Sequence, residues 1–503
     1  MPQNHIVVIF GASGDLARRK LVPALASLHA QRLLPERFAV LGVGRTPMDD
    51  SSFRREMADA LQRFAVHLAA RVTAGFLPLL RYQSIDTGDP AAYGRVDERI
   101  TGLCAELGMP RNCIFYLSTP PDLYLRIPVC LAARGLNASD DGWKRLVVEK
   151  PFGRDRKSAR ELNRQLLAQW GEEQIYRIDH YLGKETVQNL LVFRFANTIF
   201  DSLWNHRYVD YVEITSAESI GVEKRAAYFD RSGVLRDMVQ NHLLQVLAMV
   251  AIDPPVSFEA PCIRHETLKV FRSLRPLGGA DLGRSVVLGQ YGASTVRGQS
   301  IAAYRAEPGI AADSRTDTFA AMRLFLDHHR WFEVPFYLRV GKRLPTRVTE
   351  VVIHFRKTPH PAFGVGSRDV RQNHLVIRIQ PDEGILLRFG LKEPGAGFHV
   401  KPVNMDFHYS DLADTRVPDS YERLLLDCMS GDATLYAMGE AVERCWSFID
   451  PLIVWRESGE APLYSYPAGS WGPREADSLI EGDGHGWRYP CQNLATDGEY
   501  CQL

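Results

Sequence analysis

Residues 5–20 read HIVVIFGASGDLARRK, and their reading decides the fold. The apolar run IVVIF reads as a buried strand that enters Gly11 and Gly14 and then a helix starting near Asp15. Such a corner aims backbone N–H groups and the positive end of a helix at one point, which suits a pyrophosphate. The spacing Gly-x-x-Gly-x-x-Ala is a variant of the dinucleotide fingerprint. Its small residues allow the tight turn, the close backbone approach and the helix–strand contact at Ala17. Pro23, inside the helix, predicts a kink. Gly11, Ala12, Ser13, Gly14, Asp15 and Leu16 are therefore candidate cofactor-binding residues. A second strand, FAVLGVG, ends at Arg45. An acidic residue there would take a ribose 2′-hydroxyl, whereas an arginine suits a 2′-phosphate through paired planar donors. No acidic residue lies in the strand, so the pattern favours NADP over NAD. An ordinary strand–turn–helix corner with a solvated turn arginine is the alternative.

Outward from this corner, residues 1–150 alternate strand and helix patterns. IVVIF, FAVLGVG, CIFYLST and RLVVEK are short β-branched or aromatic runs. Helical stretches such as 52–69 and 122–135 lie between them, the rhythm of parallel strands with crossover helices. QIYRID, at 174–179, adds a strand. After about residue 185 the runs lengthen and often alternate polar with apolar residues: YVDYVEITSAES, VPFYLRV, TEVVIHF, HLVIRIQP and GILLRFGL. They predict a broad, mostly antiparallel sheet with helices at about 233–251, 420–429 and 436–455 as cover. The fold class is thus α/β plus α+β. A Rossmann-like dinucleotide-binding domain spans 1–180 and a larger domain spans 181–503, its tail after about 480 peripheral.

Composition agrees with two domains and excludes some partners. At 503 residues the chain exceeds one ordinary core. Hydrophobic residues make up 45% and charged ones 24%, with a formal net charge of zero, so nothing points to nucleic acid or to an anionic membrane. The eight cysteines are scattered, without C-x-x-C or zinc spacing. They read as reduced thiols of a cytoplasmic protein, and no metal site is expected. The N-terminus enters a strand at once, which argues against secretion. The longest apolar stretch, LLQVLAMVAI, is too short to span a bilayer.

Several constellations carry chemistry. RIDHYLGKE (177–185) follows a strand and opens a helix. With a start near His180, His180 and Lys184 share a helix face beside Tyr181. Imidazole, phenol and ammonium at a helix N-terminus suit a phosphate dianion. Asp179 precedes them at the strand end; a capping aspartate with solvated His and Lys is the alternative. SGVLRDMVQNHLLQVLAMVAI (232–252) reads as one long amphipathic helix. His242 falls on its buried stripe, either as a core histidine or as a general base, and Asp237 and Asn241 form a polar edge. Glu218 ends an apolar strand face as a rim charge or a hydroxyl-binding carboxylate. Lys342 and Arg347 follow the turn at Gly341, as an anion clamp or a solvated tip. Lys150, in VVEKPFG, ends the last clear strand of the first half, where it could touch both cofactor and substrate. Pro151 is a candidate cis proline.

GASGDLA, VVEKPFG, RIDHYLGKET, RDMVQNHLLQ, VPFYLRVGKR and AGSWGP stand in the order of the glucose-6-phosphate dehydrogenase family. The chain resembles that family over roughly residues 5–475. The resemblance implies oxidation of β-D-glucose 6-phosphate at C1 to 6-phospho-D-glucono-1,5-lactone with NADP and no metal, the first oxidative step of the pentose phosphate pathway. It implies His242 as the base and Asp179 as the carboxylate that orients it. It also implies His180, Tyr181 and Lys184 as the phosphate grip, with Lys342 and Arg347 also at the substrate. Glu218 and Asp237 would bind sugar hydroxyls, and Lys150 would serve substrate and cofactor. Gly11 to Leu16 and Arg45 would hold NADP, with Asp86 and Thr87 near the adenine. The second domain would bind substrate and form a homodimer or homotetramer. Arg347 stands where many bacterial relatives carry lysine, Ala226 and Ala227 where glycines are usual, and nothing signals a second, structural NADP site. Two other readings stay open: a related NAD(P)-dependent sugar dehydrogenase without a phosphate requirement, and a non-catalytic NADP-binding sensor or assembly protein.

Overall fold

The computed structural model describes residues 2–138, 142–358, 372–395, 397–412 and 418–490. The chain forms two compact units. The first comprises Met1–Gly183, Val256–His265 and Pro418–Glu443, and the second Lys184–Pro255, Glu266–Val417 and Arg444–Leu503.

In the first unit β1 (His5–Phe10), β2 (Phe38–Gly44), β3 (Leu80–Ser84), β4 (Cys113–Leu117), β5 (Lys144–Val148) and β6 (Ile175–Ile178) are parallel. Their order is β6-β5-β4-β1-β2-β3, and the two-residue strand Tyr436–Ala437 pairs antiparallel with β6. Every residue of β1, β2 and β4 is buried. Strands covered on both faces need uninterrupted apolar runs, which is why these read so clearly. The strand order reverses between β1 and β4, and ligands of such sheets bind outside the carboxyl ends at that point.

Three sequence expectations for this unit change. The helix after Gly14 runs through Pro23 without ending. Residues Ala17–Leu21 form a π-helical turn, and the Val22 N–H donates five residues back to the Ala17 carbonyl. That widened turn accommodates a proline that has no N–H to return to the preceding turn. The helix expected to start near His180 starts at Glu185 instead, with Lys184 as its extended N-cap residue. The Asp179 carboxylate accepts the Tyr181 N–H at 2.9 Å and the Asp179 carbonyl accepts the Leu182 N–H at 3.1 Å, so a turn is closed where a helix was expected. Finally, the unit does not stop at 180, and the helix Ser420–Ser430, expected to cover the second sheet, belongs to it. Arg145 Nη1 donates to the Cys428 and Met429 carbonyls at 2.6 and 2.9 Å, and Ser27 Oγ donates to Glu422 at 2.9 Å. An amphipathic pattern shows that a face is buried, not what buries it.

The second unit is built on β7 (Val209–Ala217), β8 (Val286–Gly292), the hairpin β9 (Ser294–Val296) and β10 (Gln299–Ile301), β11 (Phe319–Leu324), β12 (Phe336–Gly341), β13 (Val348–Phe355), β14 (His374–Gln380), β15 (Gly384–Lys392) and β16 (Val400–His408). Its nine-stranded sheet has the order β16-β15-β14-β13-β7-β12-β11-β8 and ends on Leu463–Pro467. It is mostly antiparallel, with parallel pairs at β7–β12 and at β8 with Leu463–Pro467. The single long helix expected over 232–252 is broken. Gly233 takes φ 65°, ψ 177°, residues Leu235–Leu243 are π-helical, and Leu244–Ala251 is α-helical.

The tail is also not peripheral where it is described. Trp487 is buried and its Nε1 donates to the Ala476 carbonyl at 2.9 Å. Arg488 Nη1 reaches both Glu350 carboxylate oxygens at 2.7 Å, and its backbone N–H donates to Glu213 at 2.9 Å. Arg339, on β12, lies 4.7, 4.6 and 5.1 Å from the ring centres of Trp471, Trp487 and Tyr489. The polar composition of this stretch supplies counter-ions and rings to a polar sheet face, because buried charges need partners. Residues 491–503, with Cys491 and Cys501, lie outside the described residues; the six described cysteines are free thiols.

Candidate active site

In the first unit the residues at the carboxyl ends of β1–β4 form a nucleotide corner. Gly11 has φ 81°, and a Cβ built on it would lie 2.1 Å from the Ser118 carbonyl oxygen, so only glycine fits. The amides of the motif are partly spent on the turn itself. Gly11 and Ala12 donate to the Val43 carbonyl at 2.8 and 3.3 Å, and Gly14 donates to the Gly11 carbonyl at 2.9 Å. The donors left for an anion are the Ser13 amide and those of the first helical turn, from Asp15 onward. Ser118 Oγ and Thr119 Oγ1, beside that turn, are buried without a hydrogen-bond partner. Buried hydroxyls are normally paired, so this cradle suits a polar ligand such as a dinucleotide. Arg45 is exposed directly after β2, and Ser13 Oγ lies 3.4 Å from the Thr46 hydroxyl. Asp86 and Thr87 follow β3; the Asp86 carboxylate accepts the Gly88 N–H, and the Thr87 carbonyl accepts the Tyr93 hydroxyl.

Lys150 lies two residues beyond the end of β5, and its bond to Pro151 is cis. The preceding Glu149 is buried and accepts the Tyr116 hydroxyl at 2.6 Å. Burial pushes its carboxyl up from the ordinary range. Asp179 is 4% exposed at the end of β6. His180 is half-buried, with its ring centre 5.2 Å from that of buried Tyr181.

In the second unit His242 is 1% exposed on the π-helical segment, its backbone N–H donating to Asn241 Oδ1 at 2.6 Å. Asp237 lies on the same segment, 3% exposed, with Arg225 Nη2 at 3.6 Å from its Oδ1. Arg225 stacks on Tyr228, whose phenol burial pushes up. Lys342 Nζ donates to Glu218, and the Glu218 N–H donates to the Gly341 carbonyl at 3.0 Å, so one turn holds both. Lys184 occupies the N-cap position of the helix Glu185–Phe195 without a side-chain cap bond, and Arg347 is exposed. The structure thus groups Gly11–Leu16, Arg45, Asp86 and Thr87 at strand ends of one unit, and Lys342 with Glu218 and His242 with Asp237 in the other. Ser118, Thr119, Glu149 and Arg225 escaped the sequence reading. Only Ser118 and Thr119 had a usable signal, as small polar residues ending a strand of a doubly wound pattern.

A Rossmann-like nucleotide corner in the same chain as an antiparallel-sheet unit carrying a buried histidine defines a dinucleotide-dependent dehydrogenase class. Comparison with known proteins is more specific. Residues 8–189 match the glucose-6-phosphate dehydrogenase NAD binding domain, and residues 191–488 the C-terminal domain of the same family. The glucose-6-phosphate 1-dehydrogenase of Aggregatibacter actinomycetemcomitans is 52% identical over 97% of this chain and 98% of its own. That of Treponema pallidum is 50% identical over 99% and 98%. A solved glucose-6-phosphate dehydrogenase in complex with its substrate glucose-6-phosphate superposes with TM-score 0.89 at 32% identity, covering 97% of this chain and 99% of the other. The chain belongs to the glucose-6-phosphate dehydrogenase family.

Proposed function

We propose that this protein oxidises β-D-glucose 6-phosphate at C1 to 6-phospho-D-glucono-1,5-lactone, passing hydride to NADP. The observation that carries the reading is the buried imidazole of His242 on the same π-helical segment as the buried Asp237, in a chain that a family member matches over 97% of its length. NADP, when bound, supplies the acceptor for the hydride that leaves C1. His242, neutral, takes the C1 hydroxyl proton, so the carbon ends as a carbonyl and the proton as imidazolium. Asp179 is the carboxylate that the family resemblance assigns to holding that imidazolium, the logic of a His–Asp pair. Asp237 and Glu218 orient sugar hydroxyls as acceptors, and Glu218 is held by Lys342. His180, Tyr181 and Lys184 grip the phosphate, with Arg347 as a further candidate. The family resemblance assigns Lys150 to both ligands. The first helical turn after Gly14 takes the pyrophosphate and Arg45 the 2′-phosphate, with Asp86 and Thr87 toward the adenine.

No described helix is long and apolar enough to cross a membrane. We place the enzyme in the cytoplasm as a homodimer or homotetramer, in keeping with the family resemblance. The test is NADPH formation followed at 340 nm, with glucose 6-phosphate against glucose and NADP against NAD. Equal rates on glucose would favour a sugar dehydrogenase without a phosphate requirement. No turnover on either sugar would favour a binding protein.

A further inference from the structure

A cavity of about 330 Å³ opens in the second unit beside the turn after β12, and three arginines, Arg297, Arg343 and Arg347, are among its lining residues. Among the described residues no acidic side chain lines it. The remaining wall is largely apolar, with Val296, Ile301, Leu344 and Pro345. Lys342 and Glu218, which bond to each other, are not among its walls.

The backbone under two of these arginines indicates that neither is there to shape its turn. Arg297 and Gly298 join β9 to β10 as a two-residue hairpin loop, with φ of 53° and 77°. A loop with positive φ at both central residues favours Asn-Gly or Asp-Gly, and a long cationic side chain gains nothing there. Arg343 also sits at positive φ, 54°. Long side chains are seldom found in this region, and the strain is tolerated where the side chain has another task. Neutralisation is incomplete. Arg343 Nη2 is 3.7 Å from Glu307 Oε1, and that oxygen also accepts the Tyr291 hydroxyl at 2.6 Å. Arg343 Nε is buried without a hydrogen-bond partner. A concave wall lined by three arginines and apolar residues matches a phosphorylated organic molecule: oxygens on arginine donors, carbon body on the aliphatic side chains.

We propose that this cavity binds a small phosphorylated anion in addition to the sugar phosphate and the dinucleotide. The inference stands on the cavity's own residues, and it touches the proposed reaction only through Arg347.

Inorganic pyrophosphate is the probe, titrated calorimetrically into the full-length protein at low salt. NADPH and glucose 6-phosphate are present at saturation, which fills both other anion positions without turnover. We expect one pyrophosphate per chain, weakening as salt rises. Arg297→Asn places a residue the turn prefers, so the fold keeps its melting temperature while affinity falls about tenfold, the loss of one charge-assisted contact. Arg343→Asn, which tolerates the same backbone, lowers affinity by a similar factor. Failure of pyrophosphate to bind under these conditions would overturn the proposal. So would Arg297→Asn binding as wild type does, or binding that appears only when glucose 6-phosphate is left out. That last result would make the cavity part of the substrate's own phosphate site. Inactivity of the protein on glucose 6-phosphate would instead count against the proposed function, and the affinity difference between wild type and Arg297→Asn would still decide this one.

Discussion

At the nucleotide corner of the first unit the recognising parts are mostly backbone: the turn at Gly11, the amides of one helical turn and a cradle closed by the Ser118 carbonyl. In the second unit they are side chains, the buried His242 and Asp237 on one π-helical segment and the half-buried Glu218 held by Lys342. A backbone site depends on the absence of atoms, so its weak point is an added methyl. A side-chain site depends on charge held out of water, so its weak point is a lost partner. Each unit carries a π-helical segment on the element that bears its candidate residues, Ala17–Leu21 in the first and Leu235–Leu243 in the second. In the first it accommodates Pro23; in the second it follows the break at Gly233.

The contrast can be broken first at His242. His242→Asn should lower kcat by about a hundred- to ten-thousandfold, the usual cost of losing a general base. Binding of glucose 6-phosphate should stay within a few-fold by calorimetry. A variant with half the wild-type kcat would remove His242 from the mechanism.

Backbone recognition is probed by Gly11→Ala. The new methyl must displace the Ser118 carbonyl, a strain of about 1–3 kcal/mol. KM for NADP should rise about ten- to a hundredfold while KM for glucose 6-phosphate holds. A rise in the sugar phosphate KM of the same size would mean that the defect is not local. Arg45→Ala is the matching side-chain test at the same corner. It should weaken NADP by one to two orders of magnitude, about 1.5–3 kcal/mol, and NAD little. An unchanged ratio of kcat/KM for the two cofactors would send 2′-phosphate recognition elsewhere, Ser13 and Lys20 first.

Lys184→Ala should raise KM for the sugar phosphate by about tenfold and leave free glucose unaffected. Equal losses on both substrates would make Lys184 only the cap of its helix.

The smallest effect concerns stability. Burial holds the His5 imidazole at about 4, below its ordinary 6.5. Between those values the unfolded chain carries a proton that the folded one refuses, so stability falls as pH falls through that window. Between pH 6.5 and about pH 5.5 the loss should be about 1 kcal/mol. Thermal unfolding of wild type and His5→Leu, measured across that interval, should diverge at the acid end; parallel curves would exclude His5 as the cause.

Legibility in the sequence followed the same division. The strands IVVIF and FAVLGVG were plain because both faces of their sheet are covered. The glycine spacing was plain because backbone geometry is written in residue type. The helix register around His242 was misread as continuous because a π turn shifts the side chains without changing composition. His180 reads as helical because an aspartate that closes a turn on the Tyr181 N–H and one that opens a helix look alike in residue type. Arg339, Glu213 and Glu350 alternate with apolar neighbours, and alternation alone implies a solvated face. Here that face is closed by Arg488 and Trp487, whose sequence looks like loose tail. Roles such as that of Asp179 toward His242 came from family resemblance, since no pattern in one chain links two distant polar residues.

The first unit includes Pro418–Glu443, and Tyr436 pairs with Ile178 at its sheet edge. This has a consequence for the order in which the protein is made. The ribosome delivers β1 to β6 long before Tyr436, so the nucleotide-binding sheet waits, one edge unpaired, while more than half of the chain is still being synthesised. The second unit waits longer still, since Glu213 and Glu350 meet their arginine only when residue 488 has emerged. Neither unit can therefore finish as a vectorial intermediate, and during synthesis the open edge of β6 is the surface a chaperone would have to shield.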